Sequence, residues 1–451
     1  MSLKIYNTLT KEKEDFVPLN KDAVSLYTCG PTVYNYAHIG NYRAYIFADT
    51  LKRALLYTGY KVEHIMNLTD VDDKTIRDSQ KEGKTLKEFT EFYSEKFFED
   101  MNSLNTLRPK EFTKATDNID EMVKLTEMLL DKGLAYKSED GSVYFNIKNF
   151  PGYGKLSNIT LDEQKENAGG RIKSDEYEKD NVQDFALWKA WDETDGSVFW
   201  ETPLGKGRPG WHIECSAMSM KFLGEQIDIH TGGVDLVFPH HENEIAQSEG
   251  ATGKQFVKYW MHNEWLLVDG KKMSKSAGNF YTLRDIMGKD IDPLAYRFWL
   301  LMASYRTRVN FVLDALVGAE TALKRLFGLY RGLGGEVGKI HEEYRQKFQE
   351  RIEDDLDTPR ALTVLWDLVK DEAVSNADKK ATILDFDKVL GLGFEKIKEE
   401  SIPEEVLVLA KSREEARANK DFKLSDELRD KIKSLGYEVK DGEGGQSILK
   451  M

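Results

Sequence analysis

At 451 residues the chain is too long for one hydrophobic core, so three or more domains are expected. Its 40% hydrophobic and 31% charged residues are those of a globular protein, and two cysteines exclude a disulfide framework. The net charge of −14 excludes a protein that coats nucleic acid indiscriminately, and no apolar run approaches the ~20 residues of a membrane-crossing helix.

In chain order, Val24-Ser25-Leu26-Tyr27-Thr28 reads as a buried strand ending in a turn at Cys29-Gly30-Pro31. His38-Ile39-Gly40-Asn41 follows, then helical spacing over 42–57 with Gly59 as a stop, then a strand over 61–67. Strand, turn, helix, strand is a βαβ unit, the first half of a parallel sheet. A helix near 117–132 leads to a hairpin turning at Asp140-Gly141, and an acidic stretch spans 164–184. The α/β pattern resumes with a helix over 212–223, a strand over 227–230 and a helix entered through Pro239. Residues 265–270 read as strand and turn leading into Lys272-Met273-Ser274-Lys275-Ser276. From 311 to about 395 apolar residues such as Ala315, Ala319, Leu323, Leu326 and Phe327 keep helical period, suggesting a bundle. A charged helical hairpin (404–420 and 423–435) and a β-like tail with Asp441-Gly442 as its turn close the sequence.

The chemistry-bearing residues fall into two groups. His38 and Asn41 stand three apart where a loop enters a helix, so both can face a phosphate at that helix N-terminus, and Gly40 allows close backbone approach. Lys272 and Lys275 bracket Ser274 in a loop flanked by Gly270 and Gly278, where two ammonium groups can close over a leaving pyrophosphate. Taken singly, His38 is a turn histidine and the lysines a solvated loop. Cys29 and Cys215 are 186 residues apart, so neither belongs to a local zinc finger. His240 and Glu244, four apart on a helix, face one way, and two thiolates, an imidazole and a carboxylate make an acceptable zinc set. His241 competes but has Ile245 as its four-apart partner, and Glu242 lacks a comparable one. The alternative for each cysteine is burial as a small apolar residue.

Taken together and in this order, the two lysine- and histidine-bearing segments resemble the paired ATP signatures of class I aminoacyl-tRNA synthetases. The cysteines, with Trp211-His212-Ile213-Glu214-Cys215, narrow the resemblance to the cysteinyl-tRNA synthetases over nearly the whole length. The resemblance implies a Rossmann-type α/β catalytic domain in two halves (1–115 and 206–262) around a connective insertion (116–205). A stem-contact segment with the lysine loop (263–312), a helical bundle (313–400) and a small α+β anticodon-binding domain (401–451) would follow. It implies catalytic roles for His38, Asn41, Lys272 and Lys275, and ATP contacts from His38, Gly40, Asn41, Gly233, Asp235 and Lys275. Cys29, Thr69, Trp211 and His230 would bind the amino acid, and Cys29, Cys215, His240 and Glu244 one Zn²⁺. The family usually has a second His where Asn41 stands.

The implied partners are L-cysteine, ATP with Mg²⁺ and the cysteine tRNA, acting with a monomer in the cytoplasm and no membrane. Zinc prefers a thiolate to the hydroxyl of serine, so no proofreading domain is needed. Charge agrees in part: residues 264–310 carry eight basic against five acidic side chains, and 401–451 ten against eleven. Three other readings stay open. One is a cysteine ligase of mycothiol synthesis, which shares the core but usually lacks the anticodon appendix. The others are a small-molecule adenylyltransferase and a non-catalytic, zinc-stabilised RNA-binding protein.

Overall fold

The structure is a computed structural model that describes residues 3–158, 184–273, 278–397, 403–442 and 445–450. A parallel five-stranded sheet runs Val257–Asn263, Ile227–Gly233, Val24–Thr28, Val62–Leu68, Glu111–Lys114 across its width. The chain crosses the sheet centre in its first strand, then builds outward on one side. It returns to the other side only after residue 226, which brings two distant segments together at one strand end. The helix Ile39–Tyr57 follows the first strand as expected. It begins at Ile39 because His38 caps it, and it stops at Thr58 before Gly59, whose φ of +94° suits glycine.

A second, antiparallel sheet (Ala135–Lys137, Val143–Phe145, Phe185–Ala190, Gly205–Pro209, Trp200–Thr202) holds the expected hairpin and runs to Pro209. It packs with the helices Ile119–Asp131 and Trp211–Leu223 around Trp188, Phe145 and Ile213, a core separate from that of the main sheet. Of the acidic stretch 164–184, all but Asp184 lies outside the described residues. Leu266–Val268 pairs with Lys271–Lys272 and with Val309–Phe311, and four helices between Leu313 and Leu390 form the bundle. The terminal helices Glu404–Ala418 and Phe422–Ser434 pack on the hairpin Tyr437–Gly442 and Gly445–Lys450. Asp441-Gly442, expected as the turn, is strand, with Asp441 paired to Gln446 and Gly442 to Gly445.

A buried ionic clamp joins the Ile39–Tyr57 helix to the bundle. Arg297, 0% exposed, places Nη2 2.6 Å from Asp49 Oδ2 and donates from Nε to Leu390 O (2.7 Å) and from Nη1 to Leu104 O (3.2 Å). Asp49 also accepts from Arg53 Nε (2.8 Å) and Leu107 N–H (2.6 Å). Burial works against its charge, but Arg297 and Arg53 hold the Asp49 carboxyl below the usual range. Removing one member strands the other charges, so Asp49→Ala is expected to lower unfolding free energy by ~3–5 kcal/mol, measured by denaturant titration.

Candidate active site

A solvent-open cleft lies at the ends of the central strands, and residues from both halves of the sheet line it. At one end His38 and Asn41 lock each other. The Asn41 N–H donates to His38 Nδ1 (3.2 Å), and the His38 N–H donates to Asn41 Oδ1 (3.1 Å). This reciprocal cap fixes the chemistry of both residues. Nδ1 is an acceptor, which leaves the proton on Nε2, and Asn41 keeps its Nδ2 hydrogens to donate. Both side chains line the cleft, so the helix N-terminus presents donors there.

Gly40 sits under the His38 ring, where an added Cβ would come within 2.9 Å of Nδ1. The Ile39 N–H donates to Tyr281 O (2.9 Å), tying the first signature to the segment that follows the second. Lys272 lines the same cleft, with Nζ 4.8 Å from the centroid of the Trp265 ring. Lys275 lies outside the described residues. Gly233 and Asp235 line the opposite wall, and a Cβ on Gly233 would collide with the Asp235 carboxylate. Burial raises the Asp235 carboxyl above its ordinary range, with Lys272 and His240 opposing the shift.

In the same cleft the strand Val24–Thr28 delivers Cys29, and behind it the helix Trp211–Leu223 delivers the buried Cys215 with its sulfur 3.8 Å away. Cys29 Sγ is 3.7 Å from Glu244 Oε1, which is 3.1 Å from His240 Nε2. All four residues are buried, and their donor atoms lie within 4.8 Å of one another. Tetrahedral zinc with Zn–S of ~2.3 Å and Zn–N or Zn–O of ~2.0–2.2 Å requires donor separations of ~3.3–3.8 Å. The four residues fit that ion.

The electrostatics agree. The hydrogen bond with Cys29 brings the Cys215 thiol down to about 6 against burial, while burial and Cys215 push Cys29 up. Burial alone would depress His240, but the Cys215 sulfur and Glu244 raise it to about 10. Glu244, despite burial, is held at about 2 by His230 and His240.

Several placements differ from the sequence expectation. His241 also reaches the site, with Nε2 3.4 Å from Cys29 Sγ and 3.9 Å from Glu244 Oε1. The four-apart argument against it fails because residues three apart also share a helix face, and His241 stands three before Glu244. Cys29, His230, His241 and Glu244 thus form a second donor set, though one without Cys215. The His230 Nε2 in that set is already 2.9 Å from Glu244 Oε2. His230 is 0% exposed and stacks on Trp260, so it holds Glu244 from behind rather than lining the cleft. Thr69, 1% exposed, also lies behind the wall, its hydroxyl donated to Glu214 Oε2 (2.8 Å). Trp211 does line the cleft and covers the His240 ring at a centroid distance of 4.3 Å. Lys74, Asn263, Glu264 and Trp265 line it too; no motif marked them, and only their position after strand ends could have.

Residues 15–321 match the catalytic-domain family of class I tRNA synthetases (C), and residues 399–448 match the cysteinyl-tRNA ligase anticodon-binding domain. The chain belongs to the cysteine–tRNA ligase family. The ligase is 46% identical to the cysteine–tRNA ligase of Chlamydia muridarum, with both chains fully covered. It is 46% identical to that of Methanosarcina mazei, over 99% of each. In fold the ligase resembles the methionyl-tRNA synthetase of Mycobacterium tuberculosis solved with methionyl-adenylate (TM-score 0.56, 14% identity, 82% of this chain and 90% of that one). A leucyl-tRNA synthetase ternary complex of Agrobacterium radiobacter gives the same TM-score at 12% identity, covering 85% of each chain. The enzyme is thus a class I aminoacyl-tRNA synthetase, and no helix among the described residues is long and apolar enough to cross a membrane.

Proposed function

We propose that the enzyme makes cysteinyl-tRNA in two steps within this one cleft. The observation that carries this reading is the meeting of Cys29, Cys215, His240 and Glu244, with Cys29 lining the same cleft as His38 and Asn41. In the first step a carboxylate oxygen of cysteine attacks the α-phosphorus of ATP, with Mg²⁺ accompanying the nucleotide, and pyrophosphate leaves. His38 Nε2–H, Asn41 Nδ2–H and the helix N-terminus stabilise the charge that builds on the phosphates, and Asp235 holds the ribose hydroxyls. The Lys272 ammonium moves from the Trp265 ring to the leaving pyrophosphate, with Lys275 as its partner in the same loop. In the second step the 2′-hydroxyl of the terminal tRNA adenosine attacks the carbonyl carbon, and AMP leaves.

Cys29, Cys215, His240 and Glu244 would hold the zinc. When bound, it supplies a Lewis acid that takes a thiolate in preference to a hydroxyl. Trp211 covers the imidazole of that set and excludes water from it. The reading is tested by charging purified tRNA with cysteine, serine serving as control; equal use of serine, or charging without ATP, defeats it.

The match of residues 399–448 to an anticodon-binding domain favours tRNA over an amino sugar as the cysteine acceptor. In that unit Arg413, 2% exposed, donates to both oxygens of Asp441 (2.8 and 2.9 Å), pinning the first helix to the hairpin. Deleting 401–451 is expected to leave cysteine-dependent pyrophosphate exchange within about twofold of wild type. The same deletion should lower kcat/KM for tRNA charging on the order of 100-fold, since several backbone contacts disappear together. Unchanged charging by the truncated enzyme contradicts the assignment.

A further inference from the structure

Behind the two sulfurs runs a directed chain of hydrogen bonds that joins the neighbours of both cysteines. The Gly30 N–H donates to Asn67 Oδ1 (2.8 Å). A backbone N–H can only donate, so Asn67 turns its oxygen to Gly30 and its Nδ2 the other way. Nδ2 donates to Thr69 Oγ1 (3.3 Å), and the Thr69 hydroxyl proton goes to Glu214 Oε2 (2.8 Å). Gly30 follows Cys29 and Glu214 precedes Cys215. The path from Cys29 through Gly30, Asn67, Thr69 and Glu214 to Cys215 therefore closes a loop whose ends are the two sulfurs, 3.8 Å apart.

Three features distinguish this loop from ordinary core packing. Asn67 and Thr69 are 1% exposed and Glu214 is 0% exposed, so the three side chains of the path are shielded from solvent, while Gly30 lies at the cleft. Glu214 Oε1 has no hydrogen-bond partner among the described residues, so this carboxyl is buried for a single donor. Burying it that way costs stability that an apolar side chain would not. Position 30 admits no side chain, because an added Cβ would run into Asn67 O, so the Cys29 turn is pressed against the strand that carries Asn67. A metal bound by both cysteines needs their sulfurs close together, and a tie between the two backbones holds them 3.8 Å apart.

The geometry points to Thr69 and Glu214 as positioning residues that fix the separation of Cys29 and Cys215 for the metal. This rests on the metal reading above. It also gives Thr69 a task different from the amino-acid contact implied by sequence.

The test uses full-length protein and Co²⁺, with thiolate-to-metal absorption and d–d bands reporting geometry, and affinity taken from competition with a chromophoric chelator. Thr69→Val removes the hydroxyl without changing charge and is expected to weaken metal affinity about 10- to 100-fold with altered d–d bands. Thr69→Ser keeps the hydroxyl and should stay within about threefold of wild type. Asn67→Ser cuts the other link and should shift affinity in the same direction, which decides the matter if the valine variant does not fold. One thiolate-bound Co²⁺ per wild-type chain tests the metal reading separately. Affinities of Thr69→Val and Asn67→Ser within about threefold of wild type overturn the positioning role, as does an equal loss in Thr69→Ser.

Discussion

Cys215→Ala is expected to leave the protein folded but without stoichiometric metal and without cysteine activation. Structural zinc bound by four ligands contributes ~10–16 kcal/mol, so one ligand's share is ~2.5–4 kcal/mol, or about 10²–10³-fold in affinity. The cost at this site is concentrated further, because the hydrogen bond between the two thiols brings Cys215 down to about 6, toward the thiolate that a metal binds. Like His240, Cys215 is absent from the alternative set built on His241. Two measurements check the prediction: metal per chain by elemental analysis, and cysteine-dependent pyrophosphate exchange. Wild type should carry near one zinc per chain, and the variant should lose metal and exchange together. A metal-free variant with wild-type exchange would falsify the assignment. A variant that keeps metal through Cys29, His230, His241 and Glu244 would move the centre to that second set.

The second large effect is at His38. His38→Ala removes a donor from the phosphate end and is expected to lower kcat for adenylate formation about 10²–10³-fold. It also removes the N-cap of the Ile39–Tyr57 helix, a loss of about 1–2 kcal/mol in stability. The two consequences separate experimentally. His38→Asn keeps a capping oxygen and an amide donor, so it should restore stability and recover part of the rate. The KM for cysteine should stay within about threefold in both, since His38 is read as acting on the phosphates and the two cysteines on the substrate thiol. Equal losses in kcat and in folded fraction for both variants would reduce His38 to a structural cap. The Asn41 exchange fits this arrangement. Its Oδ1 accepts the His38 N–H as the other half of the capping box, a task the amide performs while still offering an N–H to the cleft.

Much of this was legible in the sequence for an identifiable reason. The helix Ile39–Tyr57, the hairpin at Asp140-Gly141 and the bundle between Leu313 and Leu390 follow from apolar period and stop residues, which act over a few residues. The four-residue step from His240 to Glu244 likewise predicts a shared face, and the side chains do meet. The same local rule misjudged His241, because it weighed only the four-apart partner while Glu244 stands three residues away on the same face. It also set the last turn at Asp441-Gly442, since composition marks a reversal only to within a residue or two.

The linear order of residues by itself determined which segments become helices or strands, which short motifs carry donors and thiols, and hence the family. Packing alone decided that Cys29 and Cys215, 186 positions apart, stand 3.8 Å from each other. It likewise decided that Glu214 reaches Thr69, that Arg297 meets Asp49, and that Trp265 and Lys272 share the cleft. Secondary structure arises from backbone sterics and hydrogen bonds between near neighbours, which a string of residue types records. The order of strands in the sheet fixes which remote segments end at the same crevice, and that follows from burial of the whole chain at once.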